Sequence, residues 1–165
     1  VEWLPLGLFG DEYDYVEGDP ARIERPRLSL AATYSANFKA VQTGGQLGQE
    51  LTQPVDINTA FADLIFKHRG WAVLAELFWR DASRRGLLER SSENEPLSVY
   101  TGRGLNAQVS RMVSRRGELA FRYALTAPFA PLRPLERQRE ELTGGFTHYF
   151  RDHRFKAQVN LGYLV

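Results

Sequence analysis

Eight charged side chains recur at alternate positions in stretches that are otherwise apolar or small: Arg27, Asp63, Lys67, Glu76, Arg80, Glu118, Arg122 and Lys156. Gathered on one surface, such a set does electrostatic rather than covalent work, because bases in a low-dielectric wall concentrate anions and replace part of their hydration shell. The bases exceed the acids by only two, so any preference for anions is mild. The alternative is structural, with Asp63 paired to Lys67 or Arg80 and Glu118 to Arg122 across neighbouring strands. Reactive chemistry is thinner. His148 and His153 flank one turn without an evident third metal ligand. TGGQLG and TGRG lie outside the strand-to-helix context that a phosphate loop requires. No nucleophile, base and orienting acid assemble, so no enzymatic activity, metal or cofactor is expected.

Composition narrows the setting. The chain has 165 residues, 43% of them hydrophobic, enough for one folded unit with a real core. Its 21 Lys and Arg nearly cancel its 20 Asp and Glu, so no bulk field points to nucleic acid. Without cysteine there is no disulfide framework, thiolate metal site or cysteine nucleophile, and the compartment stays open. Mean hydropathy is -0.38, and no run approaches the roughly 18 apolar residues of a membrane helix. That excludes a helical membrane protein but not a membrane β-barrel, whose strands need only about 9–11 residues of alternating polarity. The first residues, VEWLPLGLFG, lack a charged leader and a cleavage site, so any export signal is expected to be removed or to lie upstream.

The elements that must position the charges are strands, in which successive side chains point to opposite faces. In residues 69–82, RGWAVLAELFWRDA, one face carries Trp71, Val73, Ala75, Leu77 and Trp79, and the other Ala72, Leu74, Glu76, Phe78 and Arg80. A helical stripe through Trp71, Leu74, Ala75 and Phe78 also fits, but it leaves Val73, Leu77 and Trp79 exposed and explains no neighbouring segment. The same alternation recurs. Leu28, Leu30, Ala32, Tyr34, Ala36 and Phe38 share a face; so do Ala60, Ala62, Leu64 and Phe66; and so do Leu105, Ala107 and Val109, interrupted by Arg111. Leu119, Phe121, Tyr123 and Leu125 follow, then Leu142, Gly144, Phe146 and Phe150, then Phe155, Ala157, Val159, Leu161, Tyr163 and Val165. LERQREEL, residues 135–142, suits either a short helical turn or a continued strand.

Connections add a second pattern. HRG, SRRG and RDHR are short, whereas AVQTGGQLGQELTQPVD, SRRGLLERSSENEPL and APFAPLRPLERQ are long, and the two kinds alternate from residue 39 onward. Outer-membrane barrels segregate short periplasmic turns from long external loops in this way. The basic short turns either meet anionic lipid or are simply solvated, and Arg111 is expected to snorkel to the interface. The acidic stretch GDEYDYVEGDPARIERP falls on the short-turn side yet is long, which the scheme leaves unexplained. The expected organisation is an N-terminal segment, 1–26, containing either the end of an eighth strand or a docked piece, then a barrel wall over 27–165.

Trp71 and Trp79 lie eight residues apart. At roughly 3.3 Å per residue that is about 26 Å along the strand, and a tilt near 40° reduces it to about 20 Å of height, close to the roughly 25 Å band between aromatic girdles. Tyr34, Trp71, Trp79, Tyr123 and Tyr163 are the expected interface aromatics. A soluble β-sandwich or lipocalin-like barrel has the same period with the faces reversed. Loop segregation and tryptophan placement favour the membrane barrel.

The segments RPRLSLAATYSAN, FADLIFKHRGWAVLAELFWRDA, TGRGLNAQVS, GELAFRYALTAP and LTGGFTHYFRDHRFKAQVNLGYL, in that order, resemble the C-terminal half of the phosphate-selective porins O and P, outer-membrane channels of Gram-negative bacteria. The resemblance covers about residues 25–164. It implies an all-β antiparallel transmembrane β-barrel of the sixteen-stranded type, of which seven or eight strands lie here, assembled as a homotrimer. It also implies an outer-membrane location, contact with lipid and lipopolysaccharide, and small anionic or neutral solutes. Phosphate itself does not follow from membership. The rival expectations are a non-conducting structural subunit of an envelope complex and a soluble β-barrel or sandwich binding module.

Overall fold

The computed structural model describes residues 1–10, 16–91, 93–151 and 154–165. Among these the chain is all-β and antiparallel: β1 (Glu2–Trp3), β2 (Arg27–Gln42), β3 (Glu50–His68), β4 (Trp71–Ala82), β5 (Glu89–Arg90), β6 (Pro96–Leu97), β7 (Gly102–Met112), β8 (Gly117–Pro128), β9 (Arg139–Arg151) and β10 (Phe155–Leu164). Eight of these form one sheet in the order β1-β2-β3-β4-β7-β8-β9-β10, and β5 and β6 pair separately. Each segment with period-two alternation is a strand paired to its neighbour in sequence. The opening stretch is β4, not a helix.

The register joins the apolar sets into one surface. Leu64, Ala75, Ala107, Tyr123, Leu142 and Tyr163 form one continuous cross-strand row from β3 to β10. A slip of one residue anywhere would move a whole strand's apolar set to the other face. The β3–β4 turn holds the register tightly, because Arg69 and Gly70 both adopt positive φ, 48° and 83°, the pattern of a two-residue type I′ hairpin.

The sheet is open, not closed into a barrel: β10 is exposed along its whole length, and β1 offers only Glu2–Trp3 as the opposite edge, too little to close upon it. One expectation is corrected. The supposed long loop after residue 39 is mostly strand. β2 runs to Gln42 and β3 starts at Glu50, because this extended hairpin buries Ala40, Leu51 and Val55 with Ile57, Ala82, Leu97 and Val99 in a small apolar core. A bulge at Lys39, whose N–H donates to Asp56 at 2.8 Å, turns the extension over that core. Of the two forms open to 135–142, the strand is the one taken from Arg139, where β9 begins, and the helical turn of this connection is a 3-10 turn at Ala130–Leu132.

The connector before β2 has a place that its sequence did not explain. β1 pairs with Leu30 and Ala31, so residues 4–26 leave from the short-turn end of the sheet and return there. Asp19, buried, accepts hydrogen bonds from the N–H groups of Gly70 at 2.7 Å and Ile23 at 3.1 Å. Arg22 donates to the Ser114 carbonyl at 2.8 Å, and Arg69 N–H to the Ile23 carbonyl at 2.8 Å. One segment thus ties two adjacent turns together. Asp152 and His153, in the turn between β9 and β10, and residues 11–15 of the acidic stretch lie outside the described residues.

A candidate solute-facing surface

The polar face is covered in part. Ser29, Thr59, Lys67, Ser110, Glu118, Thr147 and Tyr149 are buried on it and Phe61, Glu76, Lys156, Gln158 and Asn160 are exposed on it, while on the apolar face Phe121, Val159 and Leu161 are 64%, 68% and 80% exposed. This inverts the arrangement of a soluble sandwich, in which burial falls on the apolar side.

Between the connector and strands β7 to β10 the polar face encloses a cavity of about 430 Å³, with Glu118, Arg122 and Lys156 in its lining. Of the eight inward charges, the structure brings these three together. Arg122 pairs with Glu141 at 2.8 Å rather than with Glu118. Glu118 instead accepts from the Tyr149 hydroxyl and lies so close to Gly18 that a side chain there would strike its carboxylate at 2.2 Å. Thr143 hydroxyl donates to Glu141 at 2.6 Å and completes the Arg122 cluster. Gln108, Thr147, Gln158 and Asn160 supply the remaining donors and acceptors.

The other five inward charges are elsewhere and mostly occupied. Lys67 is fully buried beneath the connector, donating to the Val16 carbonyl and lying 5.4 Å from the Phe9 ring centre. Arg27 donates to the Leu6 carbonyl. Arg80 donates through Nε to Thr59 at 3.1 Å and lies over Phe78 at 5.7 Å. Asp63 and Glu76 are direct cross-strand neighbours, and Glu76 accepts from Asn106 at 2.8 Å. Arg80 does not pair with Asp63 among the described residues, where the ion pairs include Arg85–Asp81, Arg122–Glu141 and Arg139–Glu136.

Sequence reasoning missed Glu141, Tyr149 and Asp19. Glu141 was within reach, two positions before Thr143 in the same alternating set. Asp19 was not, since its partner Gly70 is 51 residues away.

The aromatics mark the borders of the apolar face. Tyr34, Trp71, Trp79 and Tyr163 are exposed and Tyr123 is half-buried. Tyr34 donates to Asn58 at 2.6 Å and Tyr123 to Glu140 at 3.0 Å, so each ring lies among apolar neighbours with its hydroxyl on a polar border residue. Trp71 has Arg111 stacked over it at 4.6 Å. The border runs obliquely. It is reached at Asp81 on β4 and at Arg103, the partner of Trp79, on β7. On β9 it falls at Glu140, which shares a row with Leu125, Leu105 and Leu77. At the other end the apolar set stops at Trp71 on β4 but continues past Phe146, in the same row, to Phe150 on β9. Both edges therefore descend together.

Comparison with known proteins finds no matching family model, curated protein or solved structure. The porin resemblance rests on the quoted segments alone.

Proposed function

We propose that this chain is part of the wall of an outer-membrane porin, a passive channel for small hydrophilic solutes with a mild preference for anions, its apolar face toward lipid and its polar face toward the pore. The observation that carries this reading is the inverted burial: a broad exposed apolar face backed by a partly covered polar one. The oblique border adds independent support. A descent of about four residues over three inter-strand steps, at roughly 3.3 Å per residue and about 4.8 Å per strand, corresponds to a strand tilt of roughly 40°, within the range of transmembrane barrels. A horizontal membrane slab crossing tilted strands would select that diagonal, whereas a soluble core has no such requirement.

The two edges of the open sheet would pair with further strands in this reading, since unpaired backbone groups in lipid cost several kcal/mol each. The mild anion preference would come from Lys156 and Arg122 at the cavity, with Arg80 farther along the same face. A second reading, a wall that carries no solute, draws support from the connector lying over Lys67 and Glu118. Single-channel recording of the full-length protein in a planar bilayer separates the two. Discrete conductance with a reversal potential shifted toward anions is expected. Membrane insertion without conductance would select the non-conducting wall, and solubility without detergent would overturn the membrane orientation.

A further inference from the structure

The apolar face is not uniformly filled. A groove of about 530 Å³ runs across β7, β8 and β9, floored by Ala107 and Gly144 and walled by Val109, Phe121, Tyr123 and Leu142. Its floor is low because Ala107 on β7 and Gly144 on β9, on either side of β8, place a methyl group and a hydrogen where their neighbours carry rings and branched chains. One residue pair below it, toward the short turns, lies the row Trp71–Arg111–Leu119.

Arg111 is exposed and is held over the Trp71 indole, 4.6 Å from the ring centre. No carboxylate pairs with it among the described residues. A guanidinium oriented by an aromatic face keeps its donors free for a planar or tetrahedral anion. Arg69, Arg115 and Arg116, all exposed in the neighbouring turns, add positive charge on the same side.

We propose that Arg111, Trp71 and the groove form a site for one anionic phospholipid of the leaflet at the short-turn end, its phosphate on the Arg111 guanidinium and an acyl chain along Ala107 and Gly144. The site rests on the membrane reading above. A groove that begins immediately above a presented cation matches a lipid's own layout, charge at the surface and hydrocarbon below it. A second copy of the chain matches less well. Copies in one membrane stand the same way up, and the acids on the apolar face of these strands, Asp81 and Glu140, sit at the far border, so neither stands at the height of Arg111. Chains of either lipid class gain from the groove, but only a net negative headgroup gains from the arginines, so the preference belongs to the headgroup.

The test is native mass spectrometry of the delipidated full-length protein, titrated with phosphatidylglycerol and with phosphatidylcholine of identical chains. The expected result is one tightly bound phosphatidylglycerol per chain, at least about fivefold tighter than phosphatidylcholine, a difference near 1 kcal/mol. Arg111→Gln should weaken phosphatidylglycerol more than phosphatidylcholine, which carries the same phosphate but no net charge, and so narrow the difference between them. Ala107→Phe, which fills the groove, should weaken both lipids. Both positions face outward, so neither substitution disturbs the covered face. Equal binding of the two lipids, indifference to Arg111→Gln, or a change of oligomeric state with unchanged lipid binding would each overturn the site. Vesicle flotation of the same preparations reads membrane insertion separately, so failure to float sinks the underlying reading, while flotation without headgroup preference sinks only this one.

Discussion

Single side chains here do two kinds of work, and the difference lies in what each one touches. Asp19 holds two backbone N–H groups from inside a buried contact, so Asp19→Ala removes a charged acceptor and leaves both donors shielded from water. Such a loss costs about 1–3 kcal/mol, and a lower chemical-denaturation midpoint with earlier proteolysis of the connector is the expected result. Among the described residues, the Arg80 side chain donates to Thr59 and lies over the Phe78 ring, with no carboxylate paired to it. Arg80→Glu should therefore leave stability nearly unchanged while moving the reversal potential away from anions; an unchanged potential would remove Arg80 from any solute role. The types and positions of the inward charges were legible from alternation. Their partners were not, because Arg122 pairs with Glu141 on the neighbouring strand β9 instead of Glu118 on its own strand.

At the scale of elements, period two was enough to identify each long strand, since it reflects the pleat and not the surroundings. It failed where packing overruled it. The extension of β2 and β3 beyond residue 39 reads as loop, rich in Gly, Gln and Thr, yet forms strand because the β5–β6 hairpin gives its Ala40, Leu51 and Val55 something to bury. Leu97, 4% exposed in that core, links the hairpin to it, and Leu97→Ala should cost about 2–5 kcal/mol of local stability, measured as faster hydrogen exchange in β5, β6 and the tip of β3. The same hairpin is fastened by Glu89, whose carboxylate accepts from the Thr52 hydroxyl and N–H. Those bonds hold its pKa below the ordinary carboxylate value. A depressed folded-state pKa gives stability that is complete above the unfolded value and is lost as pH falls through the folded one. The Thr52 amide should lose protection, relative to its intrinsic exchange rate at each pH, on acidification below the usual glutamate range, and in Glu89→Gln that loss should disappear.

At the scale of the molecule, a sheet with one greasy and one polar face has a single decisive variable, which face is covered. The connector covers part of the polar face and leaves the apolar one bare. If the polar face lines a pore, the connector obstructs it. Replacing residues 16–25 with a Gly-Ser linker should raise single-channel conductance severalfold, and equal conductance would show that solutes pass elsewhere. The sequence alone determined the strands, the residues sharing each face and the alternation of short with long connections, because these depend on local alternation and turn chemistry. Only the tertiary structure decided which face is exposed, that the sheet stays open, that the apolar border runs obliquely, and that the connector folds back over the turns. Each of those depends on register or on contacts between residues far apart in the chain, such as Asp19 with Gly70, which no local pattern encodes.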